Sequence, residues 1–255
     1  MTKTVWGQYS PDQGRFQQIG IGPLQLHLQW LSNEIWIASR YLDWTISIEE
    51  HVELDELDWS RFALPTEDIA LELNPSLPKL PLLLKPDDLY RLSPDAVSRI
   101  YTRIPMSVQI RTVGDKHLIT EIPTQILSNT WFGSVVDGEL CLSHTTSARR
   151  VISEDFFLPH LIGSTLEIRN NSSQDLKFDK ICLRTDAMSI YSDSGQLWTD
   201  TTVITYEGSG SDGEVEHLGK APKEAPGANL LCSPRVQRST SLALKTFELI
   251  RDIRF

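Results

Sequence analysis

Leu24-Gln25-Leu26-His27-Leu28-Gln29-Trp30 carries an apolar side chain at every second position and an amide or imidazole in between. Successive side chains of a strand point to opposite faces. A period of two therefore predicts a strand with Leu24, Leu26, Leu28 and Trp30 inward and Gln25, His27 and Gln29 outward. The same alternation recurs at Trp44-Thr45-Ile46-Ser47-Ile48 and at Met106-Ser107-Val108-Gln109-Ile110. Shorter strand candidates lie at 34–38, 69–73, 80–84, 99–103, 118–122, 139–143, 166–169, 176–183, 188–191 and 203–206.

Turn chemistry separates them. Asn74-Pro75, Lys85-Pro86-Asp87-Asp88, Ser93-Pro94-Asp95, Asp137-Gly138, Asn170-Asn171-Ser172-Ser173 and Asp193-Ser194-Gly195 each supply a preset φ, a positive φ or a side-chain bond to the backbone. Many short strands with such punctuation predict an all-β sandwich or barrel, and the absence of long helical patterns between strands counts against a parallel α/β fold. The working architecture is two packed antiparallel β-sandwich-like halves, 1–125 and 126–255, with one elongated sandwich as the alternative. Leu242, Thr246, Leu249, Ile250 and Ile253 recur at helical spacing, which predicts a short closing helix over about 241–253. The stretch 48–62 fits strand and helix equally well. Gly208–Gly213 reads as a hairpin tip, and Lys220–Gly227 as an extended loop.

Hydrophobic residues are 40% of the 255 positions and charged residues 23%, with 14 Gly and 14 Pro, which excludes collagen-like and disordered classes. The net charge of −10 is concentrated. Ten acids face Arg61 alone between Asp43 and Glu72, and the remainder is nearly balanced. Without a basic stripe, nucleic-acid binding is not expected. The acidic run Glu49, Glu50, Glu53, Asp55, Glu56 and Asp58 is a candidate docking segment for a basic partner. The N-terminus lacks a secretory pattern and the longest uncharged run is studded with Gln, so a cytoplasmic chain without a membrane span is expected. Cys141, Cys182 and Cys232 then read as buried thiols rather than disulfides.

No motif points to a cofactor. The six histidines are isolated, CxxC is absent, and neither glycine-rich stretch makes a phosphate loop, so no metal or nucleotide is expected. The densest concentration of chemistry is 128–150, where Trp131, Phe132, Glu139, His144, Arg149 and Arg150 form a candidate ligand or partner surface. A hairpin turning at Asp137-Gly138 sets Trp131 and Phe132 opposite 140–144, giving an aromatic platform edged by Glu139 and two guanidinium groups. The competing arrangement turns Trp131, Leu140 and Leu142 to the core and pairs Glu139 with Arg149. A glycosidase pairing of Glu121 with Glu139 rests on composition alone. Cys141 and His144, three apart on one strand, point to opposite faces and form no dyad. Of the tryptophans, Trp30 and Trp44 read as core, and Trp6, Trp36 and Trp59 as the candidates for exposure.

From about residue 70 onward the local patterns resemble the domain of unknown function 432 family. The resemblance is carried by Leu73-Asn74-Pro75, Leu77-Pro78, Lys85-Pro86, Ser93-Pro94, Tyr101-Thr102-Arg103-Ile104-Pro105, Leu127-Ser128-Asn129-Thr130-Trp131-Phe132-Gly133, Gly138-Glu139-Leu140-Cys141, Ala148-Arg149-Arg150, Ile181-Cys182-Leu183-Arg184, Leu197-Trp198-Thr199 and Ala221-Pro222. It implies no catalytic residue. It implies an accessory role beside a small-conductance mechanosensitive channel. The reading from the residues is a non-catalytic cytoplasmic interaction module with an unknown protein partner. The alternative is a glycan- or small-anion-binding protein or hydrolase using Trp131, Glu139, Arg149 and Arg150.

Overall fold

A computed structural model describes residues 5–43, 55, 57–208, 212–236 and 242–249. The protein is all-β: the described residues form strands and a few single-turn 3₁₀ segments, with no helix of seven or more residues. The chain divides into two compact units. Unit 1 comprises Met1–Ser76, Pro105–Ile126 and Leu158–His160, and unit 2 comprises Leu77–Ile104, Leu127–Phe157 and Leu161–Phe255.

Unit 1 contains two four-stranded antiparallel sheets. One runs β2 (Phe16–Ile21), β3 (Leu24–Leu31), β4 (Glu34–Tyr41), β5 (Ser60–Ala63); the other is ordered β1 (Gly7–Tyr9), β6 (Leu71–Ser76), β10 (Ser107–Thr112), β11 (Leu118–Pro123). Leu24, Leu26, Leu28 and Trp30 are buried as their alternation predicts, each contributing about 1.5–3 kcal/mol. The Trp30 indole N–H donates to the Ile69 carbonyl at 3.0 Å, just before β6. The β2–β3 hairpin turns on Gly22, whose φ of +57° and following Pro23 suit a two-residue turn. A Cβ on Gly22 would also collide with the His160 ring. Gly22→Ala is therefore expected to destabilise the protein by about 2 kcal/mol or more, read as a lowered midpoint in urea.

Two expectations change in this unit. Asn74-Pro75 is not a turn but part of β6, paired to Gln109 and Val108. Proline is tolerated there because the β1–β6 ladder runs only from Leu71 to Leu73, so β1 requires no hydrogen from the Pro75 nitrogen. His27 has the parity of an outward residue yet is fully buried. Phe16 stacks on its ring at 5.9 Å between centroids, and Trp59 meets it edge-on at 6.5 Å. Trp59 packs in turn on Trp36 at 6.2 Å, so Phe16 and Trp59 roof His27 and both tryptophans are half-buried.

Unit 2 holds the remaining strands: β7 (Leu82–Pro86), β8 (Tyr90–Leu92), β9 (Val97–Pro105, its last residue in unit 1), β12 (Ser128–Phe132), β13 (Glu139–Thr146), β14 (Leu161–Asn170), β15 (Leu176–Leu183), β16 (Ile190–Asp193), β17 (Gln196–Thr199), β18 (Thr202–Tyr206), β19 (Asp212–His217), β20 (Asn229–Cys232), β21 (Leu242–Lys245) and β22 (Phe247–Leu249). One sheet is ordered β12-β13-β7-β15-β22, with β8 also on β15; the other is β20-β16-β17-β14-β18-β19-β21, with β9 also on β14. Antiparallel ladders dominate, but β13 runs parallel to β7, and β14 parallel to β17 and β18. Parallel neighbours need long returns, and here the return from β14 to β18 passes through β15 in the other sheet and the β16–β17 hairpin. Asn170 closes the turn after β14: its side chain donates to the Leu92 and Gln174 carbonyls at 2.9 and 2.8 Å and accepts from Ser172.

The closing helix is also corrected. Leu242–Lys245 and Phe247–Leu249 are strands on β19 and β15, and Phe247 is buried against Phe178 with ring centroids 5.0 Å apart. Pairing to sheet edges overrides a helical spacing that rested on few residues. Residues 241 and 250–253 of that expectation, and the alternation at 44–48, lie outside the described residues.

Candidate functional site

The hairpin β12–β13 ends one sheet of unit 2, and β12 is its edge. The register pairs Trp131 with Leu140 and Phe132 with Glu139. Trp131 and Leu140 point outward and are 54% and 45% exposed, whereas Phe132 and Cys141 face inward into a core of Leu83 and Cys182. The arrangement with Trp131 and Leu140 in the core is thus out of phase by one residue. Trp131 is nevertheless fixed. Its indole N–H donates to the Ser134 carbonyl at 2.9 Å, and the ring lies over Gly138, where any Cβ would strike it. Ser134 also holds the tip, donating to Asp137 and accepting from the Val136 and Asp137 N–H groups. Val135 and Val136 at that tip are 94% and 96% exposed.

The other expected surface residues have separate surroundings. Glu139 pairs with Arg184, not Arg149. Arg149 instead makes a two-pronged contact with Asp155, Nη1 to Oδ1 at 2.9 Å and Nη2 to Oδ2 at 2.7 Å, which holds the Asp155 carboxyl far below the usual range. His144 shares the strand parity of Leu140 but is buried, and Arg150 is exposed. In the acidic segment Asp55 and Asp58 are exposed; Glu49, Glu50, Glu53 and Glu56 lie outside the described residues.

A third group was not anticipated. On β9 the alternation Arg99-Ile100-Tyr101-Thr102-Arg103-Ile104 buries Ile100, Thr102 and Ile104 and sets Arg99, Tyr101 and Arg103 half-buried on the other face. Arg99 Nη2 meets Glu167 at 2.8 Å and Nη1 meets Glu224 at 3.4 Å. Glu224 also accepts from Tyr101 Oη at 3.0 Å and Thr165 Oγ1 at 3.2 Å, so the 220–227 loop is pinned to the sheet. The signal was present as strand parity, but Glu224 arrives from more than a hundred residues away.

Cys141 and Cys182 are buried free thiols with sulfurs 3.8 Å apart, and burial pushes both thiol pKa values up. Raised thiols in an apolar site make poor nucleophiles. Glu121 lies in unit 1, accepting from Ser76 and Gln109, while Glu139 lies in unit 2. In unit 1 a cavity of about 480 Å³ is lined by Arg61, Phe62, Leu64, Thr112, His117 and Ile119. Among the described residues no three His, Cys, Asp or Glu side chains are placed to hold a metal, and no helix is long and apolar enough to cross a membrane.

Fold and surface together define an all-β protein with an exposed aromatic side chain on a terminal strand of one sheet. The chain belongs to the family described as "Protein of unknown function (DUF432)", which matches residues 5–251. No curated protein and no solved structure matches it.

Proposed function

We propose that this protein is a non-catalytic, cytoplasmic interaction module that captures an extended segment of a partner protein along the β12 edge. The observation that carries the reading is Trp131, immobilised by Ser134 and Gly138 yet more than half exposed. An exposed aromatic already held in one conformation loses little entropy on contact, which is the property of an interface anchor. The edge strand offers backbone donors and acceptors for a further strand, while Trp131, Leu140 and the valine tip accept apolar side chains at alternate positions. The accessory role that the family resemblance implies makes a cytosolic segment of a small-conductance mechanosensitive channel the first partner to try.

The test is binding of such channel segments to the full chain by fluorescence anisotropy. Trp131→Ala is expected to weaken binding by about 2 kcal/mol or more, roughly thirtyfold. Unchanged affinity in that variant, or no binding by any cytosolic channel segment, overturns the reading.

A further inference from the structure

Two guanidinium groups of unit 2 converge on a single hydroxyl. The isolated bridge between Tyr101 and Arg149 is closed by N–H···O=C bonds of 2.8 and 2.9 Å, which sets Arg103 and Ser147 opposite one another two positions further on. Ser147 Oγ lies 3.4 Å from Arg103 Nη2 and 3.2 Å from Arg149 Nε. Arg149 has its counter-charge in Asp155, supported by Ser153. Arg103 has none: among the described residues it makes no ion pair, and its Nε is closed off from solvent without an acceptor. Glu224, which meets the same face of β9, is already engaged by Arg99, Tyr101 and Thr165. Burial, and next the Arg149 charge, push the Arg103 guanidinium below its ordinary range, with Asp155 and Asp87 acting in the opposite sense.

A half-buried cation that makes no ion pair of its own is an electrostatic arrangement that a small anion completes. With two N–H groups directed at its oxygen, the Ser147 hydroxyl has its own proton left to donate. We propose that this place binds a tetrahedral oxyanion of the phosphate class, held by the terminal nitrogens of Arg103 and the Ser147 hydroxyl. The planar fork of Arg103 matches the edge of such an ion better than a point charge would. The site uses none of the hairpin-edge residues, so it stands or falls apart from the partner-binding reading.

Isothermal titration of the full chain with inorganic phosphate, ionic strength held constant with chloride, tests it. The expected result is saturable one-to-one binding, weakened at least tenfold by Arg103→Gln and to a lesser degree by Arg103→Lys, which keeps the charge without the fork. A parallel titration with glycerol 3-phosphate identifies the source. Equal or tighter binding assigns the site to phosphomonoesters, and much weaker binding assigns it to the free ion. Should Arg103→Gln unfold, the Arg103 Nε–H resonance of the unaltered protein is followed instead, and it must shift as phosphate saturates. No heat beyond the chloride control, binding untouched in a folded Arg103→Gln protein, or an unmoved Arg103 resonance overturns the proposal.

Discussion

Trp198→Ala is expected to lower the stability of unit 2 by about 3–5 kcal/mol, the range for deleting a large aromatic from a packed core. Trp198 is buried on β17 and pairs across a parallel ladder with Gly163. It stacks on Phe156 at 6.0 Å and meets Phe157 edge-on at 5.2 Å. Gly163 is glycine because the two rings occupy the space a side chain would need: a Cβ there would approach Phe156 to 2.9 Å and Trp198 to 3.0 Å. With no side chain at Gly163 to fill the void, the truncated site collapses poorly, and the cost falls near the upper end. Urea unfolding followed by far-UV circular dichroism measures it. A loss below about 1 kcal/mol would show that this aromatic cluster is not the core of unit 2.

Acidification is expected to destabilise unit 1 through His27. Burial, and secondarily the charge of Arg40, lower its pKa from the ordinary 6.5. The unfolded chain therefore takes up a proton near that value while the folded chain resists it, and protonation favours unfolding. Stability is complete above the unfolded pKa and declines as pH falls below it towards the folded value. Both ring nitrogens are buried without hydrogen-bond partners, a state that costs about 1–3 kcal/mol even for the neutral ring. His27→Leu is accordingly expected to stabilise the protein at neutral pH and to flatten the dependence of its melting temperature between pH 7 and 5. A leucine variant that melts lower at pH 7, with the acid slope unchanged, would show that His27 is neither strained nor the titrating group.

Much of the strand content was legible because a period of two is a local property. The strand at 176–183 and the inward set Leu24, Leu26, Leu28 and Trp30 stand where the alternation puts them. What covers the second face of a strand is not local. His27 reads as solvent-facing until Phe16 and Trp59 close over it, and Arg99 and Tyr101 read as part of an ordinary polar face until Glu224 reaches them. The candidate surface at 128–150 was located by its density, but its phase was open because Trp131 and Phe132 are adjacent and only one can face inward. The structure turns Phe132 in, towards Cys141, Cys182 and Leu83. Leu242–Leu249 failed for another reason: a spacing compatible with a helix is outweighed when β15 and β19 offer unpaired edges.

Capture of a partner at the β12 edge requires Trp131 to be both exposed and immobile, and the heteronuclear ¹⁵N NOE of its indole Nε1–H tests this most directly. A value as high as that of the β12 and β13 backbone amides is predicted, falling towards that of a free side chain when Gly138 is replaced by valine. A low value in the unaltered protein, typical of a tumbling surface tryptophan, would contradict it.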